Sequence, residues 1–227
     1  MFSKKQPRHD RSHNTRRLAF ESLEQRQVLA GNVTAALVGD VLDIDGDAVG
    51  NKITVVSDGA NITVQGIRNT RINGAKAPVT FAVGAVASID IDMEGGNDSV
   101  TVRAVNAAGI GFDLDNAAGD FFSIDMGDGR KQKVIVRAEN SGGTGFATNG
   151  IEVISTGRKD RALVAARNSG GIGITTSGGD IDVDLGGGNN KGEIVANNTS
   201  GTGIDTTPGG NLVLNGTTGH DRFEVAA

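Results

Sequence analysis

The residues best suited by type and spacing to chemistry are acidic. Asp90, Asp92, Asp125, Glu152, Asp182 and Asp184 each alternate with apolar neighbours, in segments that recur about every 30 residues. Side chains at alternate positions of a strand share a face, so these carboxylates are predicted to form one outward stripe. Stacked like charges destabilise a sheet unless they are screened. A stripe of this kind would hold cations loosely or be simply solvated. Acids of this type also cut polysaccharides, but such sites pair them with Arg or Lys in an aromatic-lined groove. This chain has no Trp and no Tyr, and its acidic segments carry no matching basic cluster.

Calcium is the next chemistry to consider. Gly95-Gly96-Asn97-Asp98-Ser99-Val100 resembles part of an RTX nonapeptide, and Gly219-His220-Asp221-Arg222-Phe223 is a weaker echo. RTX sites need consecutive nine-residue repeats, since each ion is shared between stacked turns. Here the related turns lie about 30 residues apart. Gln132 and Asn190 replace the Asp in two of them, and Arg and Lys crowd the turns at Arg130-Lys131 and Arg158-Lys159. His9, His13 and His220 do not have metal-cluster spacing. No nucleophile elbow or phosphate loop occurs. Thr148, Thr176 and Thr206 align in a column, at positions predicted to face inward. No residue is therefore assigned a catalytic, cofactor-binding or metal-ligating role, and no cofactor is expected.

These residues are positioned by a repeat. Asn106-Ala-Ala-Gly109-Ile-Gly111-Phe112 returns at Asn140–Phe146, Asn168–Ile174 and Asn198–Ile204. A second element, Asp98-Ser-Val100-Thr-Val102, returns from Gln132, Asp160, Asn190 and Asp221. A third, Ile89-Asp-Ile91-Asp-Met93, returns from Phe122, Ile151 and Ile181. Each repeat thus holds three short alternating strands, separated by Gly, Asn, Asp and Ser turns. Stacking equivalent strands in parallel at ~4.8 Å gives a triangular coil. The prediction is an all-β, right-handed parallel β-helix of about 30-residue, three-strand coils. The Asn column is predicted to form an amide-on-amide ladder.

Composition agrees. Glycine is abundant, at 35 residues, and the only aromatic residue is Phe, which suits a thin repetitive core. No apolar run approaches the ~20 residues of a membrane span. The net charge is −5, but residues 1–30 alone are basic, with seven Lys or Arg against three acids. The acidic remainder is a poor nucleic-acid ligand.

Phe20-Glu-Ser-Leu-Glu-Gln-Arg-Gln-Val-Leu-Ala30 resembles the LEPR-XLL motif of large planctomycete surface proteins, with Gln25 in place of Pro and Val28 in place of Leu. The resemblance implies export or surface sorting. The same stretch also reads as an amphipathic helix with Ser22 as N-cap. Three regions are expected: a disordered targeting segment, 1–31; an irregular N-terminal β coil, 32–97, with a loop protruding at 67–84; and regular β-helix repeats, 98–227. The function expected is a non-enzymatic extracellular or cell-surface structural protein of adhesion type. Its partners would be polysaccharide, protein, or its own copies through open coil ends, with no nucleic acid and no membrane span. The alternatives are a calcium-stabilised RTX-like β-roll relative and a carbohydrate-active β-helix enzyme.

Overall fold

A computed structural model describes residues 31–227, except 116–118, 168–169, 199, 208, 218 and 227. The expected targeting segment and its amphipathic helix therefore lie, up to residue 30, outside the described residues. So does Asn168.

The strands are β1 (Asn32–Val38), β2 (Val41–Asp45), β3 (Lys52–Ser57), β4 (Asn61–Gly66), β5 (Arg71–Ile72) and β6 (Val79–Ala82). Three-strand coils follow: β7 (Ser88–Asp92), β8 (Ser99–Ala104) and β9 (Ile110–Leu114); β10 (Phe122–Asp125), β11 (Lys133–Ala138) and β12 (Thr144–Thr148). Then come β13 (Ile151–Ser155), β14 (Arg161–Ala166) and β15 (Ile172–Thr176); β16 (Ile181–Leu185), β17 (Lys191–Ala196) and β18 (Thr202–Asp205); and finally β19 (Leu212–Gly216) and β20 (Arg222–Ala226). Equivalent strands stack into three sheets, ordered β19-β16-β13-β10-β7-β2-β1-β5, β20-β17-β14-β11-β8-β3-β4-β6 and β18-β15-β12-β9. From β7 onward every pairing is parallel. The protein is a parallel β-solenoid.

The register follows the repeat read from the sequence. Val100 lies beside Val134, Val134 beside Ala162, and Phe112 beside Phe146. The alternation becomes an inside and an outside: in β8, Val100, Val102 and Ala104 are buried and their neighbours half-buried. The core is one continuous apolar column from Val33 to Ile194. Its largest members are Phe112, Phe146 and Phe122, whose rings stack with centroids 4.8 Å and 5.9 Å apart and planes 8° from parallel.

The N-terminal end departs from parallel stacking. β1 pairs antiparallel with β2, and β4 antiparallel with both β3 and β6. These hairpins, with Ile62, Val64 and Ile72 fully buried, close the end of the core. The expected loop at 67–84 is only partly a loop: residues 73–78 are exposed, whereas β5 and β6 fold back to extend two sheets. An open core is costly, and this segment covers it.

The Asn column also differs from expectation. Asn106 and Asn140 are both buried, but no amide-to-amide bond joins them, since the Oδ1 of each is without a partner among the described residues. Asn106 Nδ2 donates to Gly109 O at 3.2 Å in its own turn and to Thr144 O at 3.1 Å in the next coil. Asn140 Nδ2 does the same with Gly143 O and Ile172 O. The backbone carbonyls at this corner need donors, and the amide supplies them. The Asn also explains the glycine five residues on. A Cβ on Gly111 would lie 2.6 Å from Gly145 O and 2.8 Å from Asn106 Oδ1.

A true side-chain ladder runs elsewhere, through residues read from the sequence as ordinary turn positions. Asn51 N donates to Asp98 Oδ1 (2.6 Å), Asp98 N to Gln132 Oε1 (2.7 Å) and Gln132 N to Asp160 Oδ1 (3.0 Å). Asp160 N then donates to Asn190 Oδ1 and Asn190 N to Asp221 Oδ1, both at 3.0 Å. Each buried side chain therefore accepts the N–H of the coil before it. The second polar atom is used as well: Gln132 Nε2 donates to Met126 O, Asn190 Nδ2 to Leu185 O, and Ser155 Oγ donates to Asp160 Oδ2.

Asn51, at the head of the ladder, and Asp98 depart from this: Asn51 Oδ1 is buried without a partner among the described residues, and Asp98 carries a charge as well. Asp98 Oδ2 is likewise buried without a partner among the described residues. Burial pushes its carboxyl up to about 6, against the hydrogen bonds from Asn51 and Gln132. A carboxyl held above its unfolded value of 3.8 adds stability below that value and loses it as pH rises toward 6. Asp98→Asn keeps the acceptor and removes the charge, as Asn190 does in the same column. We expect this variant to be more stable above pH 6 by on the order of 2 kcal/mol, with the gain vanishing near pH 4. Urea melts across that range measure it, and equal stabilities at pH 7.5 would contradict the assignment.

Candidate functional site

Two outer surfaces carry chemistry-bearing side chains, and both are built by register. On the sheet containing β7, β10, β13 and β16, Asp43, Asp90, Ser123, Glu152 and Asp182 form one column. Asp45, Asp92, Asp125, Ile154 and Asp184 form the next. All six carboxylates expected in the stripe lie there and point outward. The sequence reading missed Asp43 and Asp45, which extend the stripe onto β2. The signal was present, because Leu42-Asp43-Ile44-Asp45 repeats the Ile-Asp-Ile-Asp pattern of β7.

Proximity shows in the ionisation of these groups. Burial, then Asp43, Asp92, Asp45 and Asp125, hold the Asp90 carboxyl above its ordinary range. Burial, then Asp184 and Asp180, raise Asp182. Burial, then Asp43 and Asp92, raise Asp45. Some of the charge is absorbed locally: Asp92 Oδ1 accepts Glu94 N–H and Asp125 Oδ1 accepts Gly127 N–H, both closing turns.

A groove of about 470 Å³ runs along this face. Asp90, Glu152 and Asp182 form its floor, with Asp120, Asp180 and Phe121 along the rim. Phe121 is 39% exposed and sits beside buried Phe122. The titratable groups lining the groove are all carboxylates. The arrangement can attract cations and offer one apolar ring. Among the described residues no group of three or more His, Cys, Asp or Glu is arranged to hold a metal ion.

The residues of the RTX-like turns are placed differently. The Asp98 and Asp221 carboxylates each spend an oxygen on the internal ladder, facing the preceding coil. Thr148 and Thr176 are buried as expected, and their hydroxyls donate to Gly150 O and Gly179 O at 2.7 Å.

The second surface is basic. Where β10 turns into β11 and β13 into β14, the chain presents Arg130, Lys131 and Lys133, and then Arg158, Lys159 and Arg161, all exposed. Lys133 and Arg161 are direct neighbours in the sheet. Further along the same sheet the cations are paired: Arg103 and Arg137 with Glu139, and Arg161 and Lys191 with Glu193.

Comparison with known families adds one finding. The family described as Planctomycete extracellular matches residues 14–33. The chain is similar to that family over this segment. The segment spans Phe20–Ala30, so the resemblance read from the sequence and the family match fall on the same residues. The matched stretch runs into β1, where Val33 is fully buried. The family is extracellular, which supports an extracellular location for this chain. No curated protein and no solved structure matches the chain. Among the described residues no helix is long and apolar enough to cross a membrane.

Proposed function

We propose that this protein is a non-enzymatic, extracellular structural solenoid of adhesion type, presenting repeated side-chain columns to polysaccharide or protein at the cell surface. The observation that carries this reading is the single register shared by all three sheets. It commits the inner polar groups to ladders and leaves the outer faces as regular arrays. Such arrays suit multivalent contact, where many weak contacts add along one rigid body. The match to the planctomycete extracellular family supports the location.

Three experiments test the proposal. Antibody labelling of intact cells should detect the protein at the surface; labelling only after lysis would contradict the location. Incubation with a panel of plant, algal and bacterial polysaccharides should release no new reducing ends or unsaturated products. Clear turnover would replace this reading with a carbohydrate-active enzyme. A large melting shift between calcium and EDTA would favour a calcium-stabilised β-roll instead.

A further inference from the structure

We infer that the basic ridge formed by Arg130, Lys131, Lys133, Arg158, Lys159 and Arg161 is a binding track for an acidic polysaccharide lying along the solenoid axis. The inference rests on the extracellular reading above and names the ligand class.

Register makes the ridge. The 28-residue offset that pairs Lys133 with Arg161 also places Gln132 N on Asp160 Oδ1. The turns superpose as well, since a Cβ on Gly157 would strike Gly129 O. Arg130 therefore lies beside Arg158, and Lys131 beside Lys159. The result is a two-by-three grid of cations with coils ~4.8 Å apart. Like charges placed directly opposite one another disfavour the fold. Of the six, only Arg161 has an ion-pair partner among the described residues, Glu193 at 3.1 Å. Asp128, exposed in the first turn, is the one carboxylate within these two turns that faces solvent, because Asp160 is buried in the ladder. Five exposed cations thus stand without an ion pair in a chain whose net charge is −5.

The ridge also has a shape. A groove of about 580 Å³ flanks it on the N-terminal side, lined by Lys52, Arg68, Lys131 and Lys133. Another of about 510 Å³ flanks it on the C-terminal side, lined by Arg158, Lys159 and the Gly187–Asn189 turn. Grid residues belong to both, so the two grooves and the ridge form one track crossing successive coils. From the Lys52 coil to the Lys191 coil the track is about 19 Å long, which fits a linear polymer better than a single small anion. Arg and Lys at fixed spacing suit carboxylate or sulfate groups repeating along a chain.

Nucleic acid is the competing polyanion. Single strands are held by aromatic stacking on top of charge. The large exposed aromatics, Phe121 and Phe223, both lie off the ridge.

The test is titration of the full chain with heparin (sulfate), alginate (carboxylate), neutral dextran and a single-stranded DNA oligonucleotide, at low and high salt. We expect binding to heparin, to alginate or to both, none to dextran, and loss of binding at high salt. Lys131→Gln with Lys159→Gln should weaken glycan binding by at least about tenfold, whereas Arg103→Gln, off the ridge, should not. Circular dichroism confirms that each variant folds. The proposal is overturned if neither acidic glycan binds, if the ridge variant binds like the parent, or if DNA binds more tightly than both glycans. Surface labelling reports location independently, so failure of the ridge and failure of the extracellular reading remain distinguishable.

Discussion

Phe146→Ala should destabilise the solenoid by about 3–5 kcal/mol, the largest effect of any single side-chain truncation in this core. Phe146 is fully buried at the centre of the aromatic stack, between Phe112 in the coil before it and Phe122 on the adjoining sheet. A solenoid of thin cross-section has few large side chains per coil, so neighbouring coils cannot collapse into the space vacated. The substitution loses the transfer energy of the ring, leaves a cavity, and removes two ring–ring contacts worth roughly 0.5–1.5 kcal/mol each. Phe146→Leu should cost far less, since Ile174 and Ile204 fill the same column in the next coils. Chemical denaturation measures both. A loss below about 1 kcal/mol for the Ala variant would mean that the stack does not support the core.

Gln132→Ala is expected to cost roughly 3 kcal/mol, although it removes no apolar side chain from the core. Its Oε1 accepts Asp98 N–H and its Nε2 donates to Met126 O. Removing it strands a backbone N–H and a carbonyl, each worth about 1–3 kcal/mol when buried unpaired. Gln132→Glu should also destabilise: it retains the acceptor but places a charge where a donor is needed. Hydrogen exchange gives a sharper readout than the melt. In the Ala variant the Asp98 amide should exchange much faster while Val100 and Val102 stay protected. Unchanged protection at Asp98 would remove Gln132 from the ladder.

These two residues show what the sequence could convey. Phe112 and Phe146 close two copies of one motif, and the alternation within each repeat gathers apolar residues on one face. Strand register was legible to the residue, because a one-place slip would turn every apolar side chain outward. Gln132 was not legible as a ladder residue. The repeat aligns it with Asp98, Asp160, Asn190 and Asp221 at the head of the second element, but these residues differ in charge and length and so do not announce one shared hydrogen-bonding role. What unites Asp98, Gln132, Asp160, Asn190 and Asp221 is a side-chain oxygen placed just before the strand, and only the preceding coil shows which N–H it meets. The antiparallel N-terminal closure was hidden for a similar reason. β4 and β6 alternate like every other strand, and alternation does not report direction. The acidic stripe was visible because it repeats. The groove over it was not, since Phe121, Asp120 and Asp180 come from turns of unequal length.

The account depends on parallel, in-register stacking of successive coils, and the absence of cysteine from the chain allows a direct test. On β10 and β13 the outward pairs are Ser123 with Glu152 and Asp125 with Ile154. Antiparallel pairing about the same centre would instead join Ser123 to Ile154 and Asp125 to Glu152. Four double-cysteine variants, Ser123→Cys or Asp125→Cys combined with Glu152→Cys or Ile154→Cys, can be treated with a short bifunctional thiol reagent under native conditions and read by mass spectrometry. The first two pairs should cross-link efficiently and the two diagonal pairs poorly. Cross-linking confined to the diagonal pairs, or absent from all four, would contradict the stacked solenoid.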